Sequence, residues 1–135
     1  MCIRDRADIV ALSLPDTPAT RNLFDLERFK KMKKTAILIN VGRGTVINTE
    51  DLTIALEKGF LAGAGLDVTE PEPLPADHPL WKQKNLILTP HVSGGHYTLH
   101  TLDKIIQIAV NSIKNLLSDK EPDNIVDFET GYKRR

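Results

Sequence analysis

The chain has 135 residues, 18 basic and 18 acidic, enough for one domain with a real core and without the net charge that draws a protein to nucleic acid or an anionic membrane. Its 41% hydrophobic content is ordinary for a globular protein, and no apolar run approaches the roughly 20 residues that span a bilayer. Met1–Arg6 is too short and charged for a secretory signal, and the single cysteine, Cys2, excludes an internal disulfide, which points to a cytoplasmic protein.

In chain order, Ala7–Leu14 (ADIVALSL) is a short, largely apolar run closed by Pro15, the pattern of a buried parallel strand. Asp16–Thr20 is a turn, and Asp25–Met32 a short amphipathic helix with Leu26, Phe29 and Met32 on one side. Thr35–Asn40 (TAILIN) is a second strand, followed by the glycine-rich loop Val41–Gly44 and a little extended chain at Thr45–Ile47. Asn48 or Thr49 can cap a helix running to Lys58, with Glu50 and Asp51 in its first turn and Gly59 ending it. Leu61–Val68 is a third strand entered through small residues. Thr69–Lys84 is a loop holding four of the eight prolines, and Asn85–Thr89 is a fourth strand. From His96 to Leu117, Leu102, Ile105, Ile106, Ala109, Ile113 and Leu116 recur at helical spacing, and Ser118–Arg135 reads as a polar extended tail. Strands alternating with helices imply right-handed βαβ units. The expected fold is therefore α/β, half of a doubly wound, Rossmann-type parallel sheet with a long C-terminal helix and tail.

Three residues follow the ends of these strands: Arg43, Glu72 and His91. Parallel α/β folds bind ligands in the crevice at the C-terminal ends of their strands. A guanidinium can fork onto a carboxylate, an imidazole can move a proton near neutral pH, and a carboxylate can orient that imidazole and hold it protonated. The combination suits proton-coupled chemistry on an anionic carbonyl substrate.

With these residues placed, the chain strongly resembles the D-isomer-specific 2-hydroxyacid dehydrogenases from Ala7 to about Asp127. Met32–Gly44 (MKKTAILINVGRG) looks like the family's signature around its catalytic arginine. Gly63–Val68 (GAGLDV), with Glu72-Pro73-Leu74-Pro75 after it, is similar to the segment carrying the catalytic glutamate. Thr89-Pro90-His91 matches the histidine segment, and Leu14–Thr20 (LPDTPAT) matches a cofactor-side loop.

The resemblance implies an NAD- or NADP-dependent oxidoreductase that interconverts a 2-oxo acid and a D-2-hydroxy acid, with the parent protein a homodimer. The loop from Glu72 through Trp81 looks most like glyoxylate/hydroxypyruvate reductase-type members. Arg43 is then the binder of the substrate carboxylate and carbonyl. Glu72, directly before Pro73, is the glutamate that holds an imidazolium His91, with Glu70 the fallback. His91 protonates the carbonyl oxygen as hydride arrives from the nicotinamide. Asp67 resembles the aspartate that hydrogen-bonds the nicotinamide carboxamide; the alternative is a strand-end cap. Leu14, Pro15, Thr20, Val41, Gly42, Ser93 and Gly94 map onto cofactor contacts, several through backbone, although such residues are also ordinary turn formers. Gly42 and Gly95 also suit demanding backbone geometry.

Family members carry a split substrate domain and a G-x-G-x-x-G phosphate loop, and neither that loop nor the first half of such an enzyme is present in this sequence. Residues 1–6 (MCIRDR) read as a foreign or misassembled start, residues 7–96 as a partial dinucleotide-binding domain, and residues 97–135 as the helix and tail returning to the substrate domain. His96 and His100 lie four apart without a third ligand at the spacing of known sites, so no metal is expected. His78 reads as solvent-exposed, Trp81 as packing the proline loop down, with a wall of the substrate pocket as its other reading, and Lys30–Lys34 as a solvated helix end. Formate dehydrogenases of the family carry glutamine in place of the glutamate, so Glu72 argues against formate. Two other readings stand beside the enzyme: a dinucleotide-sensing binding protein of the same fold, as in some transcriptional corepressors, and an inactive fragment. The absence of a basic patch speaks against the corepressor.

Overall fold

A computed structural model describes residues 5–94 and 99–134 of the chain. Residues 1–4 of the start read as foreign, together with Gly95 and His96, lie outside the described residues. The chain forms two compact units, Met1–Gly94 and Gly95–Arg135.

The first unit is built on four parallel strands, β1 (Ile9–Leu12), β2 (Ile37–Asn40), β3 (Gly63–Leu66) and β4 (Leu86–Leu88), lying in sequence order. Helix α1 (Leu26–Lys30) crosses from β1 to β2, and α2 (Thr49–Glu57) from β2 to β3. The expected parallel half-sheet is therefore the observed one. Register places Val10, Leu38, Ala64 and Leu86 in one row, and Leu12, Asn40, Leu66 and Leu88 in the next. This face packs with Phe29 of α1 and Leu52, Ala55 and Leu56 of α2 in a single core that also takes in Leu61 and Leu80. Each fully buried leucine or phenylalanine contributes about 1.5–3 kcal/mol by leaving water. On the opposite face Ile9, Ile37 and Ile87 are exposed, where a doubly wound sheet would carry a second helical layer.

Local chemistry explains the element ends. Asp25 caps α1 by accepting the Arg28 amide, and Asp51 of α2 accepts the Leu26 amide, joining the two helices. Asn48, rather than Thr49, caps α2 through the Asp51 amide. Gly59 follows that helix at φ +67°, a left-handed position that glycine adopts without strain. Two loop expectations need correction. Gly44–Val46 is a 3-10 turn rather than extended chain, and only Ile47 pairs outward, bridging Phe24. The proline-rich loop contains a 3-10 helix, Pro79–Lys82, entered through Pro79 and anchored by the buried Leu80.

The second unit contains α3 (Leu99–Leu117), a 19-residue helix with the expected apolar periodicity but no buried residue. The tail after it is not simply extended. Val126 and Lys133 form an antiparallel bridge around a turn in which Asp127 accepts the Glu129 and Thr130 amides, holding its carboxyl below the usual range. Among the described residues no helix is long and apolar enough to cross a membrane.

Candidate active site

The C-terminal ends of all four strands carry residues singled out in the sequence. After β1, the Thr20 hydroxyl donates to the Pro15 carbonyl at 2.6 Å and accepts the Thr17 amide at 2.9 Å, which knits Pro15–Thr20 into one turn. After β2, Gly42 lies against the same strand end. A Cβ there would sit 2.7 Å from the backbone N and O of Leu14, so glycine is required by the close approach of two chains. Leu14 and Gly42 are thus brought together by packing, and Val41 beside them is exposed.

Asn40, to which the sequence reading gave no role, organises the arginine loop. It is fully buried, its Oδ1 accepts the Gly42 amide at 3.0 Å, and its Nδ2 donates to the Arg43 carbonyl at 2.9 Å. The signal was available: a polar side chain closing an apolar strand just before glycine is a residue suited to bonding its own backbone two and three positions on. Arg43 itself is exposed, with Nη1 donating to the Gly42 carbonyl at 2.9 Å.

After β3, Asp67 is almost fully buried. Its Oδ1 accepts the Thr89 hydroxyl and the Val92 amide, and its Oδ2 accepts both the amide and the hydroxyl of Ser93. Burial pushes the carboxyl pKa up. The four bonds, led by the Ser93 and Thr89 hydroxyls, outweigh burial and hold the group well below the usual carboxylate range. A carboxylate offers about four lone-pair sites, and all four are occupied by the turn after β4. Asp67 therefore acts on the histidine segment, with its own carbonyl also accepting the His91 amide at 2.9 Å.

His91 sits in that turn at φ +53°, an uncommon conformation for a side-chain-bearing residue, held by its amide bonds to Asp67 and Thr89. Its Nδ1 lies 2.6 Å from Glu72 Oε1. Of the two glutamates in the loop it is Glu72, not Glu70, that meets the histidine. The loop carrying Glu72 is pinned to α2, where the Thr49 hydroxyl donates to the Glu70 carbonyl, and to the arginine loop, where Gly44 touches Thr69. A carboxylate can only accept, so Nδ1 carries the proton and Nε2 is the ring nitrogen left to exchange one with a ligand.

Glu72 and His91 open on a cleft of about 450 Å³ whose walls include Leu74, Trp81 and Leu88. Arg43 is not among these walls. Trp81 holds the proline loop by donating Nε1–H to the Pro75 carbonyl at 2.8 Å, leaving its ring half-exposed in the cleft. His78 is not the exposed residue its loop position suggests. Its side chain is only 10% exposed, because Nδ1 turns inward to cap the 3-10 helix through the Leu80 amide. A Cβ on Gly94 would meet no atom of the described residues within 4 Å. His100 lies in the first turn of α3, and His96, four residues before it, lies outside the described residues.

Known proteins share this sequence and fold. The family described as D-isomer specific 2-hydroxyacid dehydrogenase, NAD binding domain, matches residues 3–93. The human glyoxylate reductase/hydroxypyruvate reductase is 41% identical over 121 residues, covering 89% of this chain and 36% of that protein. Among solved structures, a D-isomer specific 2-hydroxyacid dehydrogenase from Xanthobacter autotrophicus Py2, in complex with NADPH and MES, is 36% identical with a TM-score of 0.83, over 96% of this chain and 52% of that one. The NAD-complexed D-isomer specific 2-hydroxyacid dehydrogenase from Lactobacillus delbrueckii ssp. bulgaricus is 34% identical with a TM-score of 0.81, over 92% and 41%. The chain thus spans about a third to a half of the length of these relatives. It belongs to the D-isomer specific 2-hydroxyacid dehydrogenase family, within its NAD binding domain.

Proposed function

We propose that this chain is the C-terminal part of an NAD(P)-dependent oxidoreductase interconverting a 2-oxo acid and a D-2-hydroxy acid, with glyoxylate or hydroxypyruvate as the oxo acid. The observation that carries this reading is the 2.6 Å contact of His91 Nδ1 with Glu72 Oε1 at the C-terminal end of the sheet. Glu72 fixes the ring through Nδ1, and His91 delivers its Nε2 proton to the carbonyl oxygen or takes it back in the reverse direction. Arg43 has one N–H on the Gly42 carbonyl and four more to offer, enough to fork onto a substrate carboxylate.

The residues at the strand ends suit the nicotinamide half of a dinucleotide. Pro15, Thr20, Val41 and Gly94 are assigned to its contacts, a reading supported by the exposure of Val41 beside the turn at Pro15–Thr20. Asp67 serves this end indirectly, by ordering Val92 and Ser93. Bound NADH or NADPH supplies the hydride. Residues 7–96 are assigned to the dinucleotide domain, and residues 97–135 to a helix and tail reaching a substrate domain. The reading extends to a cytoplasmic homodimer, on the lone cysteine and the family resemblance.

The test is oxidation of NADH and NADPH with glyoxylate and hydroxypyruvate by the longer protein that carries a phosphate loop ahead of this chain. His91→Ala should lower kcat at least about a hundredfold, the usual scale of general acid catalysis. Near-wild-type turnover of that variant would remove His91 from the proposed role.

A further inference from the structure

The loop between β3 and β4 is closed on itself around one histidine. The His78 amide and the Trp81 indole Nε1 both donate to the Pro75 carbonyl, at 3.0 and 2.8 Å, and the Trp81 amide donates to the His78 carbonyl at 3.1 Å. At the centre the Leu80 amide donates to His78 Nδ1 at 3.1 Å. His78 Nε2 stands 3.7 Å from Glu50 Oε1 on α2. Two residues of the 3-10 helix that follows divide the work: Leu80 is buried in the core, and Trp81 forms a wall of the cleft that contains Glu72 and His91.

An imidazole accepts at Nδ1 only when it is neutral with its proton on Nε2. The contacts select that tautomer, with Nε2–H toward Glu50 and the Nδ1 lone pair on the Leu80 amide. Protonation puts a hydrogen on Nδ1 as well, turning the cap into two donors facing each other. Leu80 cannot follow freely because its side chain is locked in the core. The disturbance therefore falls on the half-exposed Trp81.

We propose that His78 is a positioning residue: its neutral Nδ1 holds Trp81 in the cleft wall, and its protonation releases that wall. The charged group facing His78 from the packed element is Glu50 of α2, and the neighbouring acid on its own loop is Asp77. Glu50 is largely exposed and beyond hydrogen-bond length, so it steers Nε2–H without locking it. On the far side of Trp81 the titratable groups lining the cleft are Asp67, Glu72 and His91. The device is a property of the loop and holds whichever substrate the cleft accepts.

Trp81 is the chain's single tryptophan, so its fluorescence reports this wall alone. The 135-residue chain is titrated from about pH 8 to 5, the interval in which imidazole takes up a proton. The expected result is a one-proton change in Trp81 emission that is absent in His78→Asn, where a short amide oxygen can cap the Leu80 amide without titrating. The change should persist in His91→Gln. A flat wild-type profile, an unchanged transition in His78→Asn, or a transition lost in His91→Gln would each overturn the proposal. Should His78→Asn fail to fold by circular dichroism, wild-type NMR decides. The Leu80 amide and Trp81 indole resonances must move with the His78 ring at a common midpoint, and separate midpoints would refute it.

Discussion

The backbone carbonyl of Asn40 accepts the amide of Asp67 at 2.9 Å, so two buried polar side chains stand at the ends of neighbouring strands. Each turns forward to bind the segment that follows a strand. Asn40 holds Gly42 and Arg43, and Asp67 holds Thr89, Val92 and Ser93 around His91. The arginine and histidine loops therefore share one polar spine through β2 and β3, and buried polar groups of this kind are costly to leave half-satisfied.

Asn40→Ala removes both bonds to the arginine loop, leaving the Gly42 amide and Arg43 carbonyl without this partner. The expected loss is about 2–4 kcal/mol, from one or two stranded backbone groups. Urea unfolding of the two proteins measures it. A loss under about 0.5 kcal/mol would show that the loop finds other partners.

Asp67 should make the fold acid-sensitive. Its carboxyl is held below its ordinary value in the folded chain, so the folded state binds fewer protons than the unfolded one as pH falls. The stabilisation is complete above the ordinary aspartate value of 3.8 and is lost as pH drops through the lower folded value. Unfolding free energy measured from about pH 5 to 2 should fall, and Asp67→Asn should flatten that slope while lowering stability at pH 5. Equal slopes in the two proteins would show that other carboxylates govern the acid limb.

Two glycines should separate cleanly. A Cβ on Gly44 would overlap the Thr69 carbonyl group, so Gly44→Ala must push apart the loops bearing Arg43 and Glu72. We expect a loss of about 3 kcal/mol or more. A Cβ on Gly65 would meet no atom within 4 Å, and Gly65→Ala should stay within about 0.5 kcal/mol of wild type. Thermal denaturation of both variants checks the pair.

Arg43→Lys keeps the charge and loses the planar fork. In the longer enzyme the KM for the 2-oxo acid should rise about tenfold or more, the scale of a charge-assisted bond, while the Kd for NADH stays within about twofold. Comparable losses in both would assign Arg43 to the scaffold.

The 135-residue chain by itself should bind NADH at about millimolar or weaker, which is roughly 4 kcal/mol of binding free energy. The pyrophosphate of a dinucleotide is held at a glycine-rich turn and helix N-terminus, and this sequence has no G-x-G-x-x-G. Turnover should be undetectable. Calorimetric titration beside a steady-state assay decides it, and micromolar binding would show that the strand ends suffice.

Much of the architecture was legible because it is local. Apolar runs bounded by Pro15, Gly42 and Gly59 mark strands and turns, and the spacing of Leu102 to Leu116 marks a helix, since each pattern states which side chains avoid water over a few residues. The motifs around Arg43, Glu72 and His91 were legible through their resemblance to the family's segments, which is also what preferred Glu72 over Glu70. What tertiary structure decided depends on groups far apart in the chain. Gly44 must be glycine because Thr69 passes beside it, and the His78 side chain is largely shielded because it caps the turn that Leu80 anchors in the core. Asp67 is bonded to Thr89 and Ser93, 22 and 26 residues away. A linear sequence specifies which polar atoms exist; only the folded chain determines which of them face each other, and in a buried site that pairing sets charge, tautomer and position.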